Sequence, residues 1–312
     1  MGLKAVFLGT PPFAVPTLQA MVEAGHRPVA VYTQPDRPKG RGQELAMSAV
    51  KTAAVALGIE VRQPERIRRP EIVDELRALA PDIMVVVGYG QIIPQSIIDI
   101  PRFGIVNVHG SLLPKYRGAA PIQWAIAHGE RSTGVTTMQI NAGLDTGDML
   151  LKAATEIEPN ENAVELGERL SLLGAKLLIE TIAGLEDGSI SAIRQDDREA
   201  THAKILSKMD GAIDWSWPAQ VIHNRTRGLY PWPGTMTQFR GQTLRLVKTR
   251  VLDDTTDKEQ ARVIGAKGSL LVACGAATVL ELLEVQQEGR KRVSGVDLRN
   301  GLRIADNEIL GD

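Results

Sequence analysis

A continuous apolar run at residues 83–87 restricts the fold more than any other feature of the sequence. The run, Ile-Met-Val-Val-Val, has no polar alternation, so both faces of the strand that it predicts must be covered by other parts of the chain. Similar short runs predict strands at 4–8, 29–33 and 105–109. Apolar residues at three- and four-residue spacing predict helices between them, at 15–24, 46–57 and 71–80. This alternation is typical of βαβ units and predicts an α/β fold with a mostly parallel sheet.

The second half of the sequence has a different pattern. Leu166, Leu170, Leu173 and Leu177 predict an amphipathic helix over 163–185, which we take as the end of a first domain. A polar stretch without periodicity follows it and is typical of a linker. A short helix predicted at 218–227, a hairpin signal at 239–242 and apolar runs at 244–251, 270–273 and 279–283 then predict a small β-barrel-like module. The expected organisation is a first domain at 1–189, a linker at 190–207 and a second domain at 208–312.

The residues present argue against several cofactor and metal sites. The first predicted strand is followed by Gly-Thr-Pro-Pro at 9–12, which matches neither the GxGxxG of a dinucleotide site nor the GK[ST] of a P-loop. A nicotinamide, flavin or ATP cofactor is therefore unsupported. The single cysteine, Cys274, lies in an apolar run, which excludes a disulfide and predicts a buried thiol. Because the histidines outside the 105–118 segment are scattered along the sequence, we expect no metal.

Hydropathy and charge restrict location and partners. No segment reaches the roughly 20 consecutive apolar residues that a membrane-spanning helix needs, so we expect a cytoplasmic protein that does not cross a membrane. The formal net charge of -1 does not favour general binding to polyanions. A nucleic acid would have to be bound by a local basic patch.

The segment 104–118 contains the first candidates for catalysis. Asn107 and His109 are two residues apart at the carboxyl end of a predicted strand, so their side chains project from the same face. An amide N–H can hold a carbonyl oxygen as it gains negative charge, and a neutral imidazole can accept a proton. This pair suits acyl transfer to an amine. The alternative is that both side chains only cap a turn.

A third candidate group lies in the glycine-flanked turn at 143–148. Asp145 or Asp148 could orient the imidazole of His109 and stabilise its charged form, as carboxylates do in other acid–base sites. Spacing does not decide between the two aspartates, and a solvent-exposed Asp-Gly turn is the alternative.

These segments resemble a family signature. The string from Asn107 through His109 to Arg117 and Gly118, followed by the turn at 143–147, is similar to the signature of formyltetrahydrofolate-dependent formyltransferases and hydrolases. The resemblance implies a Rossmann-like formyltransferase domain followed by an OB-like barrel. It also implies three catalytic residues, Asn107, His109 and Asp145, and so favours Asp145 over Asp148. By the same resemblance, a reduced folate binds at Ser111, Leu112, Leu113 and Pro114.

Within that family, the sequence is most similar to members that formylate methionyl initiator tRNA. The similar stretches are at 9–13, 33–38, 40–42, 117–123, 213–215 and 231–233. The resemblance implies transfer from 10-formyltetrahydrofolate to the tRNA-linked amine, without a metal, and we expect a monomer. The loop at 34–45 is basic through Arg37, Lys39 and Arg41, and its prolines and glycines lead us to expect no regular element there. By resemblance this loop contacts tRNA through Arg41.

Other functions stay open on the sequence alone. The acceptor could be a small amine, such as glycinamide ribonucleotide or a sugar-nucleotide amine, or it could be water in a formyltetrahydrofolate hydrolase. The second domain and the loop at 34–45 disfavour a small acceptor, because neither is needed to bind one. A catalytically silent tRNA-binding protein is disfavoured because Asn107, His109 and Asp145 are all present.

Overall fold

The computed structural model describes residues 3–39, 44–265 and 268–311, with the side chains of residues 39 and 44 left undescribed. By internal contacts, the chain divides into two compact units. Unit 1 comprises Met1–Gly118, Thr133–Thr155 and Gly167–His202, and unit 2 comprises Ala119–Ser132, Glu156–Leu166 and Ala203–Asp312. The predicted domain boundaries at 189 and 208 stay a prediction.

Short strands alternate with helices up to residue 203. The strands are β1 (Ala5–Gly9), β2 (Pro28–Tyr32), β3 (Arg37–Lys39), β4 (Glu44–Ala46), β5 (Val61–Arg62), β6 (Ile83–Val87), β7 (Ile105–His109), β8 (Arg117–Gly118), β9 (Ser132–Gln139), β10 (Met149–Glu156) and β11 (His202–Ala203). The helices are α1 (Val15–Glu23), α2 (Ala49–Ala56), α3 (Pro70–Leu79), α4 (Gln95–Ile98), α5 (Pro121–Ala127) and α6 (Ala163–Asp187). Helix α2 begins three residues later than predicted, because the Ser48 side chain caps it by accepting a hydrogen bond from the Lys51 backbone N–H.

A seven-stranded sheet organises the described part of unit 1, in the order β10-β9-β7-β6-β1-β2-β5. Strand β1 pairs in parallel with β2 and β6, and β6 pairs in parallel with β7. Strand β9 joins β7 in antiparallel orientation. All five residues of β6 and all five of β7 are buried, as the apolar run at 83–87 predicted for a central strand. The predicted Rossmann-like, mostly parallel sheet is confirmed.

One local prediction is wrong. The loop at 34–45, which we expected to lack regular structure, contains a two-stranded antiparallel ribbon in which β3 pairs with β4. Pro38 lies opposite Leu45 in this pairing. Both strands are edge strands. An edge strand tolerates proline where no neighbouring strand would accept a hydrogen bond from the missing N–H. Arg41 lies outside the described residues.

Unit 2 contains a curled antiparallel sheet. Its further elements are α7 (Ala219–Gly228), β12 (Thr235–Phe239), β13 (Gln242–Thr255), β14 (Val263–Ile264), β15 (Leu271–Ala273), β16 (Thr278–Gln287), β17 (Val293–Ser294) and α8 (Gly295–Leu302). The sheet order is β12-β13-β16-β15-β14, and β17 pairs with β16. Three register irregularities between β13 and β16 bend the long strands, as bulges do in barrels. The predicted small barrel-like module is confirmed.

The core of the curled sheet contains the single cysteine. Cys274 is only 1% exposed and belongs to a cluster with Val272, Leu280 and Leu282. Burial raises the pKa of its thiol to about 12, because the thiolate would lose its hydration. The predicted buried thiol is confirmed. Across the described residues, no helix has both the length and the apolar character needed to cross a membrane.

Candidate active site

Asn107 and His109 lie at the carboxyl end of a central strand. Both belong to β7, and they are 8% and 6% exposed, respectively. Asn107 is opposite Val86 of β6, and His109 is opposite Thr136 of β9. Carboxyl ends of parallel strands are where open α/β sheets bind ligands. The strand therefore presents an amide and an imidazole on one face, as their spacing predicted.

The His109 ring has distinct neighbours at its two nitrogens. Nε2 lies 3.0 Å from the backbone oxygen of Tyr116, and Nδ1 lies 3.8 Å from Oδ2 of Asp145. Because a carbonyl oxygen only accepts hydrogen bonds, this partner assigns the proton of the neutral ring to Nε2. Nδ1 then holds the free lone pair and faces Asp145. A proton on Nδ1 would lie on the side of the ring that faces the Asp145 carboxylate.

Asp145 is held in place by backbone groups. Its Oδ2 accepts a hydrogen bond of 2.9 Å from the Gly118 backbone N–H. The residue adopts a left-handed conformation, with φ of 51°, which is uncommon for a residue with a side chain. Asp148, the alternative carboxylate from the sequence, is exposed. The structure therefore brings Asp145 beside His109 and leaves Asp148 at the surface.

The turn that carries Asp145 depends on two glycines. A Cβ on Gly147 would lie 1.7 Å from the backbone oxygen of Gln139, and a Cβ on Gly143 would lie 2.1 Å from Oγ1 of Thr146. The side-chain oxygen of Asn141 accepts hydrogen bonds from the Gly143 N–H and the Thr146 hydroxyl, each of 2.9 Å. Close approach therefore requires glycine at 143 and 147.

The predicted folate segment, residues 111–114, forms a tight turn directly after β7. Ser111 is fully buried, and its hydroxyl donates to the Lys115 backbone oxygen at 2.6 Å. The Thr136 hydroxyl donates to the Ser111 backbone oxygen and accepts from the Leu113 N–H. The Leu113–Pro114 peptide bond is cis. These polar groups are used in shaping the turn, and the folate contacts of Ser111, Leu112, Leu113 and Pro114 stay a prediction.

Two buried polar residues support the Asp145 turn: Gln195, which the sequence did not single out, and Arg117, which belongs to the family signature but had no assigned role. Gln195 is 5% exposed and lies in the stretch predicted to be a linker. Its Nε2 donates to the backbone oxygens of Asp145 and Gly147, at 2.8 and 2.7 Å. Arg117, which is 4% exposed, donates from Nε to Oε1 of Gln195 at 2.9 Å. No periodicity marks Gln195, so no signal in the sequence pointed to it.

Comparison with known families decides the class of the chain. A model of the family "Formyl transferase" matches residues 3–182, which is more than half of the sequence. A model of "Formyl transferase, C-terminal domain" matches residues 205–303. The chain belongs to the formyl transferase family. The resemblance drawn from the motifs is thereby confirmed.

Known members of the family match along nearly the whole chain. A methionyl-tRNA formyltransferase from Solibacter usitatus (strain Ellin6076) is 60% identical over 310 residues, which cover 99% of each chain. Another from Koribacter versatilis (strain Ellin345) is 55% identical and covers 98% of each chain. Among solved structures, a sugar 3N-formyl transferase studied with dTDP and 5-N-formyl-THF has a TM-score of 0.68 and 17% identity. That match covers 93% of this chain and all of the other, and it supports the fold alone.

In this formyl transferase, Arg37 is the one predicted tRNA residue whose side chain belongs to the described part of the chain. Arg37 is exposed at the start of β3, and for Lys39 the structure describes only the backbone. Asp36 fixes the base of the ribbon by accepting from Nζ of Lys51 at 2.5 Å and from Nε2 of Gln63 at 2.8 Å. These two donors lower the pKa of Asp36. Contacts of Arg37, Lys39 and Arg41 with tRNA stay a prediction.

Within residues 3–39, 44–265 and 268–311, no group of three or more His, Cys, Asp or Glu side chains is arranged to hold a metal ion. The absence of a metal from the reaction stays a prediction.

A substitution in the turn of this formyl transferase would test its packing. We expect Gly147→Ala to lower the free energy of unfolding by about 1–3 kcal/mol, because the added methyl group would overlap the Gln139 carbonyl and force the backbone to move. Urea unfolding measures this change. Gly301→Ala is the matched control, since nothing lies within 4 Å of its Cβ position and φ there is not positive. An unfolding curve for Gly147→Ala that matches the wild type would contradict the close approach.

Proposed function

We propose that the chain transfers the formyl group of 10-formyltetrahydrofolate to the α-amino group of methionyl initiator tRNA, giving N-formylmethionyl-tRNA. The observation that carries the proposal is the meeting of Asn107, His109 and Asp145 at the end of β7. Relatives named methionyl-tRNA formyltransferase support the acceptor, and the one from Solibacter usitatus matches 99% of this chain. Membership of the formyl transferase family supports a formyl donor, and the solved neighbour, which was studied with 5-N-formyl-THF, suggests that this donor is a reduced folate.

Asn107 is the proposed donor to the developing oxyanion. The amine nitrogen attacks the formyl carbon, a C–N bond forms, and the carbonyl oxygen becomes negatively charged. Asn107 is 8% exposed, and its side chain makes no hydrogen bond to the described residues, so its N–H is available for that oxygen. A donor that is already in place stabilises the tetrahedral intermediate without reorganisation at the moment of reaction.

His109 is the proposed carrier of the proton. As the new C–N bond forms, Nδ1 takes a proton from the attacking nitrogen and then gives it to N10 of the folate as the C–N10 bond breaks. The two proton transfers balance in number and charge, and free tetrahydrofolate leaves. While the ring is charged, Asp145 is 3.8 Å from Nδ1 and offers an opposite charge. No step requires a metal.

Substrate binding is proposed at two segments. The turn at 111–114, with Ser111, Leu112, Leu113 and Pro114, is separated from His109 by one residue and would place the folate beside the catalytic face. The ribbon of β3 and β4 carries Arg37 and Lys39, with Arg41 between its strands in the sequence, and these cations would contact tRNA phosphates. The proposal treats the enzyme as a monomer.

An assay with several acceptors tests the proposal. Formyl transfer from 10-formyltetrahydrofolate would be measured with methionyl initiator tRNA, free methionine, glycinamide ribonucleotide and no acceptor. We expect transfer to the charged tRNA alone. Formate release without an acceptor would instead indicate a hydrolase, and transfer only to a small amine would overturn the tRNA assignment. No turnover under any condition would favour a silent tRNA-binding protein.

A further inference from the structure

We propose that the segment 193–201, which we name the clasp, positions the catalytic residues, and that Gln195 is its central positioning residue. The proposal rests on the proposed function, because it assigns a role in that reaction. The clasp lies outside both stretches matched by the family models, 3–182 and 205–303. It belongs to unit 1, as do all three catalytic candidates.

The clasp makes hydrogen bonds to the turn that contains Asp145 and to the residues that follow this turn in the chain. The single side-chain amide of Gln195 donates to two backbone oxygens, those of Asp145 and Gly147. Ile193 and Met149 exchange two backbone hydrogen bonds, each of 2.8 Å, just after the turn. Asp145 itself has a left-handed backbone, with φ of 51°, a conformation that aspartate adopts more readily than most residues with a side chain. The clasp therefore adds restraint to the hydrogen bonds that Asn141 makes within the turn.

The clasp also holds the loop that contacts His109. The Thr201 backbone oxygen accepts from the Arg117 N–H at 2.8 Å, and the Thr201 hydroxyl accepts from the Tyr116 N–H at 2.8 Å. Tyr116 in turn provides the backbone oxygen that holds Nε2 of His109. One short segment thus fixes the partners of both ring nitrogens.

Gln195 and Arg117 connect the turn that contains Asp145 to the loop that contains Tyr116. Arg117 donates from Nε to Oε1 of Gln195 and from a terminal nitrogen to Oδ1 of Asp197, each at 2.9 Å. The Gln195 amide has only one orientation that satisfies these partners, because its nitrogen faces two carbonyls and its oxygen faces a guanidinium. Both residues are at most 5% exposed, so water does not replace a lost partner. A change at residue 195 is therefore transmitted to Asp145.

Gln195→Leu and Gln195→Glu test the proposal. Leucine removes all three hydrogen bonds, whereas glutamate keeps an acceptor for Arg117 but offers no amide to the two carbonyls. We expect each variant to lower kcat by about tenfold to a hundredfold, since small displacements of catalytic groups have effects of that size. The KM values for folate and for methionyl-tRNA should stay near those of the wild type. Gln19→Leu, at an exposed glutamine of α1, is the matched control.

A double-mutant cycle with Asp145→Ala distinguishes positioning from general stability. If Gln195 acts through Asp145, Gln195→Leu should reduce kcat no further once the carboxylate is absent. The proposal would be overturned if the effects of the two substitutions on kcat were additive. It would also be overturned if the Gln195 variants changed only KM, or if both of them kept the wild-type kcat. Urea unfolding shows which variants are folded. If Gln195→Leu does not fold, Gln195→Glu provides the test. Failure of the proposed function would appear separately, as a wild-type enzyme that does not formylate methionyl-tRNA.

Discussion

Asn107→Ala is expected to lower kcat by about a hundredfold or more, the usual cost of removing a donor to an oxyanion. The physical reason is that the Asn107 amide is buried, makes no hydrogen bond to a described residue and lies on the same strand face as His109. Because the lost amide has no structural partner there, the free energy of unfolding should change little. Single-turnover formyl transfer to methionyl-tRNA measures the chemical step.

Two further variants refine the test at residue 107. Asn107→Asp keeps the shape of the side chain but replaces the donor with a carboxylate that repels an oxyanion, so we expect a loss at least as large. Asn300→Ala, at an exposed asparagine of α8, should behave as the wild type. A rate for Asn107→Ala within a few-fold of the wild type would remove the oxyanion role from this residue.

His109→Ala is expected to lower kcat by about a hundredfold to ten-thousandfold, the range of a lost general acid–base group. The comparison with His109→Gln separates chemistry from structure. The glutamine amide can still donate to the Tyr116 backbone oxygen, as Nε2 does now, but it has no nitrogen that accepts a proton. We expect both variants to lose activity to a similar degree in steady-state assays between about pH 6 and pH 9.

The outcome for glutamine decides the role of the ring. If His109→Gln retained most of the wild-type kcat, the imidazole would serve only to hold the Tyr116 loop. His202→Ala, which changes an exposed histidine, controls for loss of an imidazole elsewhere in unit 1. Folding of each variant would be checked by urea unfolding before its kinetics are compared.

The central strands could be predicted from sequence because their signal is local. Strands β6 and β7 have the predicted bounds: β6 is a short run of apolar residues typical of a strand buried on both faces, and β7 begins with a similar apolar pair. The spacing of Asn107 and His109 also placed both on one face correctly. Selection of Asp145 over Asp148 needed the family motif, because the two carboxylates differ in backbone conformation and exposure rather than in spacing.

The clasp and the ribbon could not be predicted, for different reasons. Gln195 and Arg117 are polar residues in stretches without periodicity, and their burial depends on partners distant in sequence. Arg117 is 78 positions from Gln195, and Gln195 is 50 positions from Asp145. Composition alone assigns such residues to the surface. In the ribbon, the prolines and glycines of the sequence predict no regular element, although an isolated pair of edge strands accommodates Pro38.

Because the clasp follows the catalytic candidates in the chain, it is synthesised after them. Asn107, His109 and Asp145 all emerge from the ribosome before residues 193–201, whose hydrogen bonds hold the Asp145 turn and the Tyr116 loop. A nascent chain that ends at residue 189 thus carries every side chain of the proposed chemistry but none of these tethers. Completion of the site is therefore a late event in the making of the protein, tied to residues that do not themselves react.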